Sequence, residues 1–221
     1  MPTAIVEGLK INYVVQGTGP HLLMLAPGGF NSTIEKWGGG VWGEMDAMNS
    51  LSKHFTLVAY DRREAGLSGG KVEKLTWAHF ARQGHALLDH LGVKNAWVVG
   101  GCMGVSVAAA MAVLRPERLT GLLLHWPVGG YLWMQKGRGF YNRHIEFVKK
   151  NGLAAAAARG ATGKNFWLDP EAGPWASQNA NDPAFASEYA KHDVAQYIRL
   201  CEESRDALYG DTMPSDRKST R

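Results

Sequence analysis

The stretch from Asn95 to Val107 constrains this chain more than any other. Apolar Trp97, Val98 and Val99 read as a buried strand, and Val105 to Leu114 as a buried helix. Only Gly100-Gly101-Cys102-Met103-Gly104 lies between them, so the chain must reverse in a very tight turn with a thiol at its apex. Gly100 and Gly104 suit such a bend because a side chain at either would collide with neighbouring backbone. The first N–H groups of the following helix would point at whatever lies over Cys102, which sets an anion site beside a nucleophile.

The flanking segments extend the pattern. A short apolar strand, Leu22 to Ala26, stops at Pro27-Gly28-Gly29; a second, Phe55 to Tyr60, runs into Asp61-Arg62-Arg63 and on to Gly66-Leu67-Ser68. With G-x-C-x-G at the turn, these resemble the oxyanion loop, the D-x-R-G-x-G-x-S loop and the nucleophile elbow of the α/β-hydrolase superfamily. They occur in the right order over roughly residues 4–128. Serine is commoner at the apex, but dienelactone-hydrolase-like members carry cysteine there. Pro27 stands where histidine is usual, and Glu64 and Ala65 replace the usual Gly and His. The resemblance implies Cys102 as nucleophile, backbone N–H groups of Gly29 and Met103 as oxyanion donors, and neither metal nor cofactor. Gly29 also reads as a glycine that only the turn requires. Asp61 and Arg62 read as a structural turn whose charges pair with each other.

Taken in order, residues 4–16 read as a hairpin turned at Glu7-Gly8. Trp42, Met45, Met48 and Leu51 recur at helical spacing and predict one helix on the sheet, preceded by a mobile Gly38-Gly39-Gly40 loop. Thr76 reads as the N-cap of a helix whose apolar face includes Phe80, Ala81, Gly84, Leu87 and Leu88, ended by Gly92. His79, His85 and His90 are expected on its solvated side. After the turn, the helix from Val105 is apolar nearly all round, and Leu119 to Trp126 reads as a further buried strand. Strands alternating with helices imply a mostly parallel α/β sheet, with ligands at the carboxyl ends of the strands. His125 sits at such an end, either reaching the thiol or simply walling the pocket.

Beyond Val128 the composition changes to helical stretches broken by Asp169-Pro170 and Gly173-Pro174, with Asp182-Pro183 starting another helix. The resemblance makes this the cap, giving a core at 1–128, a helical cap at 129–212 and a linker at 213–221. Trp126, Tyr131, Trp133, Phe140, Trp167 and Trp175 would line a pocket under it or serve as plain core, and Cys201 falls on a core-facing stripe. In the superfamily two more strand–helix units follow, delivering the catalytic acid and then the histidine. At ~30 residues each, the C-terminal strands are expected to be missing from this chain.

Lys and Arg total 24 against 20 Asp and Glu, a net charge of +4, too small and too spread for a nucleic-acid footprint. Two cysteines make no disulfide framework and favour a reducing compartment. No secretory signal begins the chain, and no apolar run nears the ~18 residues that span a bilayer, so a cytoplasmic protein without membrane partners is expected. The oligomeric state is left open. The expected activity is cleavage of an ester, lactone or thioester of a small molecule. Acyl transfer on the same site is one alternative, and a non-catalytic binder or inactive fragment is another.

Overall fold

A computed structural model of the chain describes residues 1–210, so the expected linker at 213–221 lies outside the described residues. Strands β1 (Thr3–Val6) and β2 (Leu9–Gln16) form the expected hairpin, with Glu7 at φ 49 and Gly8 at φ 76 supplying its two-residue turn. The sheet continues through β3 (His21–Leu25), β4 (Thr56–Tyr60), β5 (Ala96–Gly101) and β6 (Leu119–His125), in the order β1-β2-β4-β3-β5-β6. Pairing is antiparallel on the hairpin side and parallel from β4 to β6. Strands β3, β4 and β5 are nearly continuous apolar runs because both faces are covered.

One face carries α3 (Trp77–His90) and α4 (Gly104–Leu114), and Phe80, Leu87, Val107 and Met111 pack there on Leu23, Val58 and Val98. Thr76 caps α3 as expected, its hydroxyl accepting the His79 N–H at 3.3 Å, and Gly92 follows the helix end at φ 69. The other face lies under Trp37 and Trp42. Here the single helix expected from Trp42 to Leu51 is instead two, α1 (Gly40–Glu44) and α2 (Ala47–Ser52). Asp46 between them turns left-handed at φ 46, which leaves Met45 49% exposed instead of on a shared apolar stripe.

Two further expectations are corrected. His85 is buried, not solvated; it follows Ala81 by one turn, and its Nε2 lies 3.1 Å from the Met111 carbonyl. His79 is half-buried and His90 exposed. Among the described residues strand β6 is a sheet edge rather than a buried strand, with Leu122, Leu123 and Leu124 all open to solvent. Apolar composition alone does not distinguish an edge strand from a covered one.

After β6 the described chain is helical: α5 (Tyr131–Gly160), bent at Gly152 (φ 79), then α6 (Ala176–Asn181), α7 (Pro183–Tyr189) and α8 (Val194–Tyr209). Asp182 caps α7 by accepting the Ala184 and Phe185 N–H groups at 2.9 and 3.1 Å. Tyr141, Ile145, Val148, Tyr197 and Cys201 continue the core of the α3 face. Polar ties fix these helices to the loop before α3. The Ser204 hydroxyl accepts the Leu75 N–H at 2.9 Å, and the Trp175 and Trp77 indoles donate to the Lys71 and Leu208 carbonyls. Among the described residues no helix is long and apolar enough to cross a membrane.

Candidate active site

Strand β5 ends at Gly101 and α4 begins at Gly104, so the turn is made by Met103, already helical at φ -62 as the N-cap, and Cys102, left-handed at φ 52. A non-glycine residue in this region is held there by its surroundings at a cost of about 1–3 kcal/mol. The surroundings are specific. The Cys102 N–H donates to the His125 carbonyl at 3.1 Å, continuing the β5–β6 ladder. A Cβ on Gly100 would lie 2.6 Å from the Gly104 carbonyl oxygen, and one on Gly104 would overlap the Leu25 carbonyl. A Cβ on Gly101 would lie 2.7 Å from the Trp42 ring. The first turn of α4 is closed by Val105 and Ser106 N–H groups donating to Cys102 and Met103 carbonyls, each at 3.1 Å. The N–H groups of Met103 and Gly104 precede those bonds and have no acceptor within the helix. The thiol is free and half-buried.

His125 is placed as its strand position implied, opposite Gly101. Its ring is exposed and packs on Trp42 at 4.3 Å, which in turn sits edge-on to Trp37 at 4.7 Å. Trp126 departs from the pocket expectation, being 67% exposed, as does Tyr131 at 61%, while Trp175 is fully buried core. Trp133, Phe140 and Trp167 do converge: Trp167 stacks on Trp133 at 4.8 Å and meets Phe140 edge-on at 4.9 Å. That cluster lies on Gly29, where a Cβ would come within 2.7 Å of the Trp167 indole. The left-handed residue of the turn is Gly28, at φ 94. Gly29 is therefore required for space against Trp167 rather than for turn conformation. A depression of ≈ 240 Å³ beside it is lined by Gly28, Asn31, Lys36, Asn165, Trp167 and Leu168.

Residues 21–143, which hold β3 to β6 and the Cys102 turn, match the family described as alpha/beta hydrolase fold. This chain belongs to the α/β-hydrolase family. Among its relatives are the dihydrolipoyllysine-residue acetyltransferase component of an acetoin cleaving system from Cupriavidus necator, 30% identical over 57% of this chain and 32% of that one. Another is a 2-hydroxymuconate semialdehyde hydrolase from Pseudomonas putida, 27% identical over 57% of this chain and 42% of the other. The chain thus spans less than half the length of either relative. An enol-lactonase structure from Burkholderia xenovorans shares the fold with a TM-score of 0.55 and 19% identity, over 94% of this chain and 74% of the other.

Within this α/β hydrolase the loop after β4 is structural, as expected, but not through the expected pair. Asp61 accepts from the Asn12 amide at 2.8 Å and from the Ile34 and Leu67 N–H groups at 2.9 Å, and it makes no ion pair with Arg62. Arg63 instead binds Glu64 at 2.9 Å and also Glu73. Burial pushes the Glu64 carboxyl up to about 7, with Arg63 opposing the shift. Sequence reading missed two contacts at the α/β-hydrolase turn, Trp42 under Gly101 and Trp167 against Gly29. Trp42 was expected on a helix against the sheet and Trp167 in a pocket under the cap, but nothing in the sequence paired either with its glycine. Among the described residues no group of three or more His, Cys, Asp or Glu gathers to hold a metal.

Proposed function

We propose that this chain uses Cys102 to cleave an ester, lactone or thioester of a small acid. The observation that carries the reading is the apex position of a free thiol at φ 52, between glycines whose side chains could not fit, at the start of a helix. In the proposed step Cys102 Sγ attacks the substrate carbonyl carbon, and the carbonyl π pair moves to oxygen. Backbone N–H groups of Met103 and Gly29 hold that oxyanion. Collapse breaks the bond to the leaving oxygen or sulfur, which takes up a proton, and leaves a thioester on Cys102. The helices after β6 act as the cap, with the Trp133–Phe140–Trp167 cluster closing over Gly29. Acyl transfer to an acceptor other than water is the second reading, favoured by relatives named as acetyltransferases.

Release of the acyl group needs a base, and among the described residues none is hydrogen-bonded to the Cys102 sulfur. A p-nitrophenyl ester of a short acid should therefore release about one equivalent of nitrophenol and leave a mass adduct on Cys102, absent in Cys102→Ala. Faster release with an added amine or thiol acceptor would favour transfer over hydrolysis. Absence of any adduct would count against the cysteine mechanism and leave a non-catalytic binder or an inactive fragment. Sustained turnover lost in His125→Ala would assign the base to His125.

A further inference from the structure

The depression of ≈ 240 Å³ beside the loop after β3 is lined on its polar side by Asn31, Lys36 and Asn165, with no Asp or Glu among its lining residues. Trp167 and Leu168 supply its apolar part. Lys36 reaches it along the loop, its Cε lying 3.8 Å from where a Cβ on Gly28 would stand, so the ammonium one bond further on sits at the turn. The lysines paired with carboxylates among the described residues are Lys74, Lys149 and Lys191; Lys36 is not one of them. Asn165 is fixed by its own turn. Its Oδ1 accepts the Trp167 and Leu168 N–H groups at 2.9 and 3.2 Å, which identifies that atom as the oxygen. Both Nδ2 N–H groups are left without an acceptor among the described residues.

The depression is also on the reactive side of the sheet. Leu25 pairs with Gly100 in register, so the loop at Gly28 and Gly29 and the turn at Cys102 leave neighbouring parallel strands at the same end. A chain that runs from a carbonyl held at Gly29 away from Cys102 has this depression beside it. What it offers there is one cation and neutral amide donors. That set balances a single negative charge, which matches a carboxylate and falls short of a phosphate carrying close to two.

We propose that this depression binds a carboxylate at the far end of the substrate's acyl chain, held by Lys36 Nζ and Asn165 Nδ2. The substrate class is then a half-ester or half-thioester of a short dicarboxylic acid, or a lactone that bears a carboxylate. The reaction in this inference rests on the Cys102 reading; binding of the carboxylate does not, since neither donor belongs to the turn. Lys36 is exposed, so its contribution is screened by salt.

Two measurements on the whole chain test it, one without chemistry. Glutarate titrated into 15N-labelled Cys102→Ala protein should shift the Asn165 side-chain amide signals saturably, and neutral glutaramide should not. Lys36→Met should weaken that binding and Lys36→Arg should restore it. In the second, mono-p-nitrophenyl glutarate should form the Cys102 adduct faster than p-nitrophenyl pentanoate, the neutral ester of the same chain length. Lys36→Met should cut this preference about two- to fivefold, as should high salt. No shift with glutarate, an equal shift with glutaramide or with inorganic phosphate, or an undiminished shift in Lys36→Met would overturn the carboxylate site. A half-ester no faster than the pentanoate ester, or a preference unchanged in Lys36→Met, would overturn the substrate class. Glutarate bound as expected while neither ester labels Cys102 would sustain the site and count against the cysteine reaction alone.

Discussion

Alkylation of a thiol requires solvent access and ionisation, and the Cys201 thiol has neither. It is fully buried on α8, and burial pushes it up to about 12. Cys102 is half-buried at the apex of a turn. Brief iodoacetamide treatment of folded protein should therefore label Cys102 and spare Cys201, and peptide mass spectrometry showing the reverse would remove Cys102 from its proposed role. Gly104 presents a different constraint, because its missing side chain makes room for the Leu25 carbonyl. Backbone in a central strand cannot step aside, so Gly104→Val should cost at least ~1–3 kcal/mol in thermal or urea unfolding, while Cys102→Ser should leave stability nearly unchanged. An unaltered melt for Gly104→Val would mean the turn is not this tight. The glycines of this turn were legible in the sequence because their spacing states a steric need. The cover of Phe80 over Arg62 was not, since the two meet only after β4 and α3 pack.

Among the elements, the helices after β6 hold a buried polar chain that has only one consistent proton arrangement. His144 Nδ1 lies 2.9 Å from the Glu171 carbonyl and must donate to it, so Nε2 accepts from the Tyr197 hydroxyl at 2.7 Å. Tyr197 in turn accepts from the Tyr189 hydroxyl at 2.7 Å. A protonated imidazole would break this chain, and burial holds His144 down to about 4, against an ordinary value of 6.5. The unfolded chain thus takes up the proton first. The stability contributed by neutral His144 is full above pH 6.5 and is lost as pH falls from there towards 4, by at most roughly 3 kcal/mol. Glu64, raised by burial, works in the opposite direction, so the measurement is a difference. Urea unfolding of wild type should weaken more steeply between pH 6.5 and 4 than that of His144→Gln, and parallel curves would exclude the mechanism. The order of strands and helices was readable from apolar runs, caps and breakers. The exposed β6 and the buried His85 were not, because each depends on what another element covers.

At the scale of the molecule, the question is how the sheet and the later helices are coupled, and Gly29 is one place where they meet. The loop after β3 contributes backbone, and the helical region contributes the Trp167 indole, itself clamped by Trp133 and Phe140. Three demands on Gly29 are separable by experiment: turn conformation, space and an N–H donor. Gly29→Ala keeps the N–H and tolerates the backbone angle but pushes on the indole, so it should cost ~1–3 kcal/mol by overpacking and change the tryptophan near-UV dichroism. In a Trp167→Ala background the clash partner is gone, and the same substitution should cost less than half as much, a coupling of the size seen between residues in contact. Equal costs in the two backgrounds would show that the turn, not the contact, demands glycine. If the contact is what matters and the Gly29 N–H is the proposed oxyanion donor, Gly29→Ala should also slow formation of the Cys102 adduct, and Trp167→Ala should restore part of the rate, because the loop can then resume its original position.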